Sequence, residues 1–383
     1  MQVPMDCAVL AAQAGRTVLK WKGTTCPVHL SYTSVLYLFP KAMDPITTAV
    51  DFPTSWLLKR TIKGLSEITE TRSPHGKKTN LSAEEHEDFV SSVGGGTGFV
   101  GRALTQLLRS RGHQVTHVSR QGGTDRISWE ELSRSGLPPC DAVVNLAGEN
   151  VLNPFRRWGD AFSREVISSR VETTKTLAKA IAAAEQAPRA WVLVTGVGYY
   201  RPSPTAEYTE DSPGGDFDFF SRLVSSWEAA ALIPGSPARG VVVRSGVVLG
   251  QDGGAISQML LPFRLGLGGP LGSGLQPFPW IHIRDLSGIV CHALEKESVR
   301  GILNGVAPSS PATSNGTFAQ ELAAALGRPA LVPVPAWAVR AVFGAERAVM
   351  LLEGQRVLPK RTLESGYHFI FPDLAGALKD IVG

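Results

Sequence analysis

Gly94-Gly95-Gly96-Thr97-Gly98-Phe99-Val100-Gly101 can bring a backbone close to a phosphate. Gly96, Gly98 and Gly101 spell G-x-G-x-x-G. Gly95, Gly98 and Gly101 spell G-x-x-G-x-x-G, and both spacings stay open. The chemistry is the same for each. Glycines let the chain turn sharply against a pyrophosphate, and a following helix offers free N–H groups and the positive end of its dipole. A chain with 40 glycines matches such patterns by chance, and a plain tight turn would look alike. Context separates the two. A short apolar stretch ending at Val93 precedes the glycines. Phe99, Val100, Ala103, Leu104, Leu107 and Leu108 follow at helical spacing. Gly95, Gly98, Phe99 and Val100 are therefore candidate cofactor contacts.

A second group, Ser119-Arg120, closes the next apolar run, Gln114 to Val118. It lies about twenty residues past the glycines, where NAD-binding chains place an Asp or Glu on the ribose 2′-hydroxyl. Here the position offers a hydroxyl and a guanidinium. An arginine matches a 2′-phosphate by charge and by its fork of donors, so the reading favours NADP over NAD. The alternative is a solvated surface arginine.

Hydroxyls suited to proton transfer follow the run Ala190-Trp191-Val192-Leu193-Val194. They are Thr195 and Tyr199 in Thr195-Gly196-Val197-Gly198-Tyr199-Tyr200. The carboxyl end of a parallel strand faces the ligand crevice, so these two are the candidate catalytic residues, though no activating base is evident beside either. The small residues of Asn145-Leu146-Ala147-Gly148 let backbone lie against a ribose. Glu165 and Arg170 fall about one and a half helical turns apart on a segment that crosses beside the cofactor. Val248 ends a strand where a nicotinamide carboxamide meets backbone.

Positioning these groups takes alternating strands and helices. Strands are expected at Phe89–Val93, Gln114–Val118, Ile127–Trp129, Asp141–Leu146, Arg189–Tyr200, Val241–Leu249 and Gly301–Val306. Helices are expected from Phe99 to the Gly112 stop, Glu130–Ser135, Phe155–Ala184 (broken near Gly159), Asp218–Leu232, a segment ending at Glu295, and Asn315–Leu326. That alternation means an α/β fold, a Rossmann-type doubly wound parallel sheet. The first strand is the weak element. Ser91 and Ser92 interrupt what should be a continuous β-branched run in a buried sheet, as if an unrelated segment replaced its natural start. Residues 86–250 form the expected NADP-binding domain, and 251–383 a smaller substrate-side lobe rich in glycine between Gly266 and Gly274.

Residues 1–85 show no sustained period, and a polar linker runs from Thr71 to Glu87. They are expected to be an extension, disordered or poorly packed, that contributes little to the fold. Asp6, Asp44 and Asp51 are the only acids before Glu67. Such a start is compatible with a mitochondrial transit segment; a plain extension of a cytoplasmic, intracellular protein is preferred. At 383 residues, 43% hydrophobic and 19% charged, the composition is that of a globular chain. The net charge of +4 is modest and forms no basic stripe with interleaved aromatics, so no nucleic acid is expected. No apolar run reaches the roughly 18 residues of a membrane span. Cys7, Cys26, Cys140 and Cys291 stand far apart without a C-x-x-C pair. They read as free thiols, with no disulfide or metal framework.

Together, the Gly95/Gly98/Gly101 turn, Asn145-Leu146-Ala147-Gly148 and Trp280-Ile281-His282-Ile283-Arg284-Asp285 resemble an extended short-chain dehydrogenase/reductase. The tail, Leu351-Leu352-Glu353-Gly354-Gln355-Arg356-Val357-Leu358-Pro359 with Ser365-Gly366-Tyr367, is similar to the epimerase-family proteins of the atypical short-chain group, family 39U. The resemblance runs from about Val93 to the C-terminus. It implies a Rossmann fold, bound NADP(H) and a small-molecule substrate of unsettled identity. It also implies that Ser119 and Arg120 hold the 2′-phosphate, Leu146 and Ala147 line the ribose and pyrophosphate path, Glu165 and Arg170 touch the cofactor, and Val248 meets its nicotinamide end. One departure stands out. Counting back from Trp227-Glu228, the positions of the usual Tyr-x-x-x-Lys pair hold Phe220 and Val224. The cofactor half reads intact and the acid–base half absent. His282 reads as a buried strand histidine and Asp285 as an N-cap, rather than as replacements. Two functions stay open: an NADP(H)-dependent oxidoreductase or epimerase, and a non-catalytic NADP(H) sensor.

Overall fold

The computed structural model describes residues 89–309 and 311–383, and before them only two short strands, Ala12–Gln13 paired antiparallel with Arg16–Thr17. The remaining residues expected as an N-terminal extension, with Cys7 and Cys26, lie outside the described residues. The chain divides into two units, Met1–Ser82 and Ala83–Gly383. The second holds the glycine turn and every other candidate site residue.

Seven strands of this second unit form one parallel sheet. In chain order they are β1 (Val90–Gly94), β2 (Gln114–Ser119), β3 (Arg126–Ser128), β4 (Ala142–Asn145), β5 (Ala190–Gly196), β7 (Arg239–Ser245) and β10 (Gly301–Gly305). Outside that sheet lie β6 (Glu207–Tyr208), β8 (Val247–Gly250), β9 (Trp280–His282) and β11 (Arg356–Val357). The order across the sheet is β10-β7-β5-β4-β1-β2-β3. The chain starts in the middle, builds one edge, then returns and builds the other, so the order reverses between β1 and β4. A crevice for a ligand opens at that switch point, above the carboxyl ends of the strands.

Both faces are covered, as the apolar runs require. On one side α1 (Phe99–Ser110) and α6 (Ile283–Glu295) bury Leu104, Leu108, Leu286 and Ile289 against Val93, Val144, Val192 and Val243. On the other, α2 (Trp129–Ser135), α3 (Asp160–Ala182) and α4 (Phe219–Ala230) bury Leu132, Phe162, Leu177 and Trp227 against Val118, Val143 and Leu193. The long helix starts at Asp160, with Gly159 as its N-cap, so the expected helix at 155–158 is instead a turn.

Two expectations need correction. The single strand foreseen at Val241–Leu249 breaks at Gly246. There Gly246 N–H donates to the Gly305 carbonyl (3.0 Å) and Val247 N–H to the Pro279 carbonyl (2.8 Å), and the chain leaves the sheet to pair Val247–Leu249 with Trp280–His282. A Cβ at Gly246 would lie 2.7 Å from the Pro279 oxygen, so only glycine passes. The part after residue 250 also does not stand apart, because β10 is the edge strand of the main sheet, paired with β7. It does build a second core. Here α5 (Gly254–Arg264), α7 (Asn315–Ala325) and, beyond α8 (Ala336–Phe343), α9 (Ala345–Leu352) and α10 (Lys360–Glu364), the last helix α11 (Leu374–Val382) join β8 and β9 around Phe263, Trp280, Phe318 and Leu378.

The weak first strand is real. Ser91 and Ser92 are fully buried in the middle of the sheet, and the Ser91 hydroxyl has no partner among the described residues. A buried hydroxyl without a partner costs about 1–3 kcal/mol. Ser91→Val, which removes the hydroxyl and adds apolar surface, is expected to raise stability by about that amount; Ser91→Ala is the control without added volume. Chemical denaturation of both variants checks this. A loss of stability in both would show that the hydroxyl does have a partner.

Candidate cofactor and substrate site

The glycine turn sits at the switch point. Gly95 takes φ +73°, a left-handed conformation that favours glycine. A Cβ there would meet the Ala147 backbone nitrogen at 2.8 Å. At Gly101 a Cβ would lie 2.4 Å from the Gly95 oxygen, so Gly101 lets helix α1 start against the turn. Gly96 rests on the ring of His117, which shares a 2.9 Å hydrogen bond with the Thr105 hydroxyl. Burial holds His117 below the ordinary histidine range, so it is neutral at neutral pH. Gly98 is the N-cap of α1, and it brings no side chain to cap the free N–H groups of the first turn. Those groups are left for a ligand.

Several residues singled out in the sequence meet here. Gly95 N–H donates to the Val118 carbonyl (3.0 Å), which fixes the turn beside the end of β2 where Ser119 and Arg120 follow. Ser119 donates its hydroxyl to the Gln121 carbonyl (2.6 Å), and Arg120 is exposed. Leu146 N–H donates to the Gly94 carbonyl (2.9 Å). Phe99 lies against Gly250, Gly253 and Gly254, and a Cβ at Gly254 would come 2.8 Å from the Val248 oxygen. Phe99 and Val248 thus belong to one neighbourhood, and Val100 and Val248 both pack on the first core. Arg170 packs over Gly148 and donates to the Glu149 carbonyl (2.9 Å). Burial pushes its guanidinium down to about 10, so it is still charged at neutral pH. Glu165 is different: it is exposed and pairs with Arg156, and no contact ties it to the turn.

Asn145, read in the sequence only as part of a stretch of small residues, holds the backbone after β4. Fully buried, it accepts from Ala147 N–H (3.0 Å) and donates to the Thr174 hydroxyl (2.8 Å). It therefore shapes the Leu146-Ala147 backbone.

Across β5 and β7 lies a buried ion pair. Arg244, on β7 opposite Thr195 of β5, donates to both oxygens of Glu228 at 2.8 and 2.7 Å. Burial works against the Arg244 charge, but the carboxylate outweighs it and holds the guanidinium above its ordinary range. Arg244 also donates to the Tyr200 hydroxyl (3.0 Å), which donates to Asn304 (2.8 Å). Asn304 N–H donates to buried Glu210 (3.0 Å). Neither Glu228 nor Arg244 was singled out, yet a signal existed: an arginine inside Val241-Val242-Val243-Arg244 must be paired if that strand is buried.

Both candidate proton carriers touch this network. Thr195 is buried and donates its hydroxyl to Glu228 (3.1 Å). Its proton is committed there, so its oxygen can only accept. Tyr199 lies in a 3-10 turn (Val197–Tyr199) with its ring 3.3 Å from the Arg244 guanidinium carbon on one side and the Gly214 backbone on the other. Its hydroxyl makes no hydrogen bond among the described residues. Phe220 and Val224, where a tyrosine and a lysine would stand, are buried. Asp285 is not an N-cap. His282 caps α6, accepting from Arg284 N–H (3.2 Å), while Asp285 accepts from Tyr367 (3.0 Å), Ile370 N–H (2.7 Å) and Phe371 N–H (2.9 Å), anchoring the tail. His113, Cys291 and Glu295 cluster at the other end of the sheet. His113 Nδ1 accepts from Phe89 N–H (3.1 Å), so Nε2 keeps its proton toward Glu295, which Arg111 also holds at 2.6 Å. Together they form a hydrogen-bonded cluster.

Residues 92–304 match the model of the NAD dependent epimerase/dehydratase family. The chain belongs to that family. The match of this epimerase-family chain begins inside β1, and a domain of unknown function matches residues 334–381. Epimerase family protein SDR39U1 of Bos taurus is 69% identical over 290 residues, 76% of this chain and 98% of the relative. The Arabidopsis thaliana homolog, described as chloroplastic, is 36% identical over 315 residues, 79% of this chain and 89% of the relative. The crystal structure of human epimerase family protein SDR39U1 (isoform2) with NADPH shares 66% identity and a TM-score of 0.75, covering 76% of this chain and 98% of that one. No helix among the described residues of the epimerase-family chain is long and apolar enough to cross a membrane.

Proposed function

We propose that this chain binds NADP(H) at the β1–β4 switch point and acts as an oxidoreductase or epimerase of the short-chain type on a small molecule, without the Tyr-x-x-x-Lys pair. The observation that carries the reading is Arg120, exposed at the end of β2 beside a turn that only glycines can make. The similar human protein, crystallised with NADPH, supports it.

The chain's residues fit the cofactor. Gly95, Gly98, Phe99 and Val100 would meet the pyrophosphate with backbone N–H groups. Ser119 and Arg120 would hold the 2′-phosphate. Leu146 and Ala147, shaped by Asn145, would line the ribose path. Arg170 would add a positive charge, and Val248 would receive the nicotinamide end. When bound, the cofactor supplies hydride transfer. Of the two hydroxyls, Tyr199 is the one free to pass a proton, since Thr195 is spent on Glu228. A second reading, an NADP(H) sensor without turnover, is favoured by the buried apolar Phe220 and Val224.

Arg120→Ala is expected to weaken NADPH roughly ten- to a hundredfold, because a charge-assisted contact contributes about 1.5–3 kcal/mol. NADH should bind as before. Calorimetric titration with both nucleotides checks this, and equal affinity of the unmodified protein for the two would refute the reading.

A further inference from the structure

We infer that Arg102 is a second cation of the cofactor site, forming with Arg120 a two-arginine clasp for the 2′-phosphate. This rests on the NADP(H) reading above.

Arg102 stands in the first turn of α1, and its backbone N–H donates to the Gly98 carbonyl (2.9 Å). An exposed arginine there could extend into solvent. Instead its guanidinium folds back over the glycine turn and donates to the Thr97 carbonyl (3.1 Å). The same turn is fastened to the end of β2 by the Gly95-to-Val118 hydrogen bond, and Ser119 and Arg120 come next. Three residues on, the Thr105 hydroxyl bonds His117 of β2 (2.9 Å), so the face of α1 that carries Arg102 is the one turned toward β2, the strand that Arg120 follows.

Neither charge is paired by the described residues. Of the acids at this edge, Asp125 is taken by Arg126 (3.2 Å) and Arg109 (3.7 Å), and Glu131, whose carboxylate lies beside Gly122, forms no ion pair with either arginine. The first turn of α1 carries no acidic residue. Among the described residues, neither Arg102 nor Arg120 has an ion-pair partner. A phosphate monoester carries about −1.5 to −2 charges at neutral pH, which two guanidinium groups balance and one does not. A ribose hydroxyl gives such a pair nothing to bind, so the second cation sharpens the choice between the nucleotides.

The competing role is mechanical, since the bond to Thr97 could merely brace the turn. Arg102→Gln separates the two, because it keeps an N–H donor for the Thr97 carbonyl and removes the charge. The full chain is titrated with NADPH, NADH and adenosine 2′-monophosphate. Arg102→Gln should weaken NADPH and the monophosphate about three- to tenfold at low salt and leave NADH within about twofold. The difference should shrink at about 0.5 M salt, where exposed charges are screened. In the Arg102→Gln/Arg120→Ala double variant, NADPH and NADH affinities should converge. An unchanged NADPH affinity, or an equal loss for both dinucleotides, overturns the clasp. If Arg120→Ala removes the NADPH preference and Arg102→Gln does not, the clasp fails while the NADP(H) reading stands. If the unmodified chain shows no preference, the reading itself fails.

Discussion

Glu228→Ala is expected to destabilise the folded unit by about 3–5 kcal/mol, the usual cost of leaving one partner of a buried ion pair behind. Arg244 is 1% exposed and pairs with no other carboxylate among the described residues. Its remaining partners, the Tyr200 hydroxyl at 3.0 Å and the Tyr199 ring at 3.3 Å, carry no full charge to balance it. Thr195 would also lose the acceptor of its hydroxyl. Glu228→Gln, which keeps one acceptor for Thr195 and Arg244, should cost less. Replacing both members together, Glu228→Leu with Arg244→Met, should cost less than Glu228→Ala alone, because no charge is then stranded. Denaturant unfolding followed by tryptophan fluorescence measures all three. A loss below about 1 kcal/mol for Glu228→Ala would mean that water reaches the pair.

The sheet was legible because β4 and β5 are continuous apolar runs and the strands alternate with helices of regular period. The glycine turn could be read from its spacing, since φ +73° at Gly95 and the tight approach at Gly101 leave few other residues possible. The place of Arg120, exposed just after β2, was legible because the preceding run ends in a clear apolar strand. What escaped notice depends on long-range contacts. Glu228 served only as a landmark for counting, and nothing local says that it meets Arg244 sixteen residues later. Thr195 looked available because its position at a strand end was visible while its acceptor was not. Helix α5, inserted between Gly253 and the glycines from Gly266, carries Pro262 and was hidden by its flanks. Asp285 sits where an N-cap would stand, but its three donors, Tyr367, Ile370 and Phe371, come from some 80 residues away. The break at Gly246 was masked by valines on both sides, whose apolar character is the same in the main sheet and in the β8–β9 pair.

The proposed cofactor cradle stands beside Phe220 and Val224, which leave the places of a tyrosine–lysine proton relay apolar. General acid–base help contributes about 10²–10⁴ in rate, and buried Phe220 and Val224 can supply none of it. The deciding measurement is a steady-state assay of NADPH oxidation by the unmodified chain over a panel of ketones and sugar nucleotides, run beside a binding titration of the same sample. Saturable NADPH binding is predicted, with turnover of these carbonyl compounds about 10²–10⁴ below that of short-chain enzymes that keep the pair. Whatever turnover remains should be lost in Tyr199→Phe and kept in Thr195→Val. Robust turnover that survives Tyr199→Phe, or no binding of NADPH at all, would contradict the account.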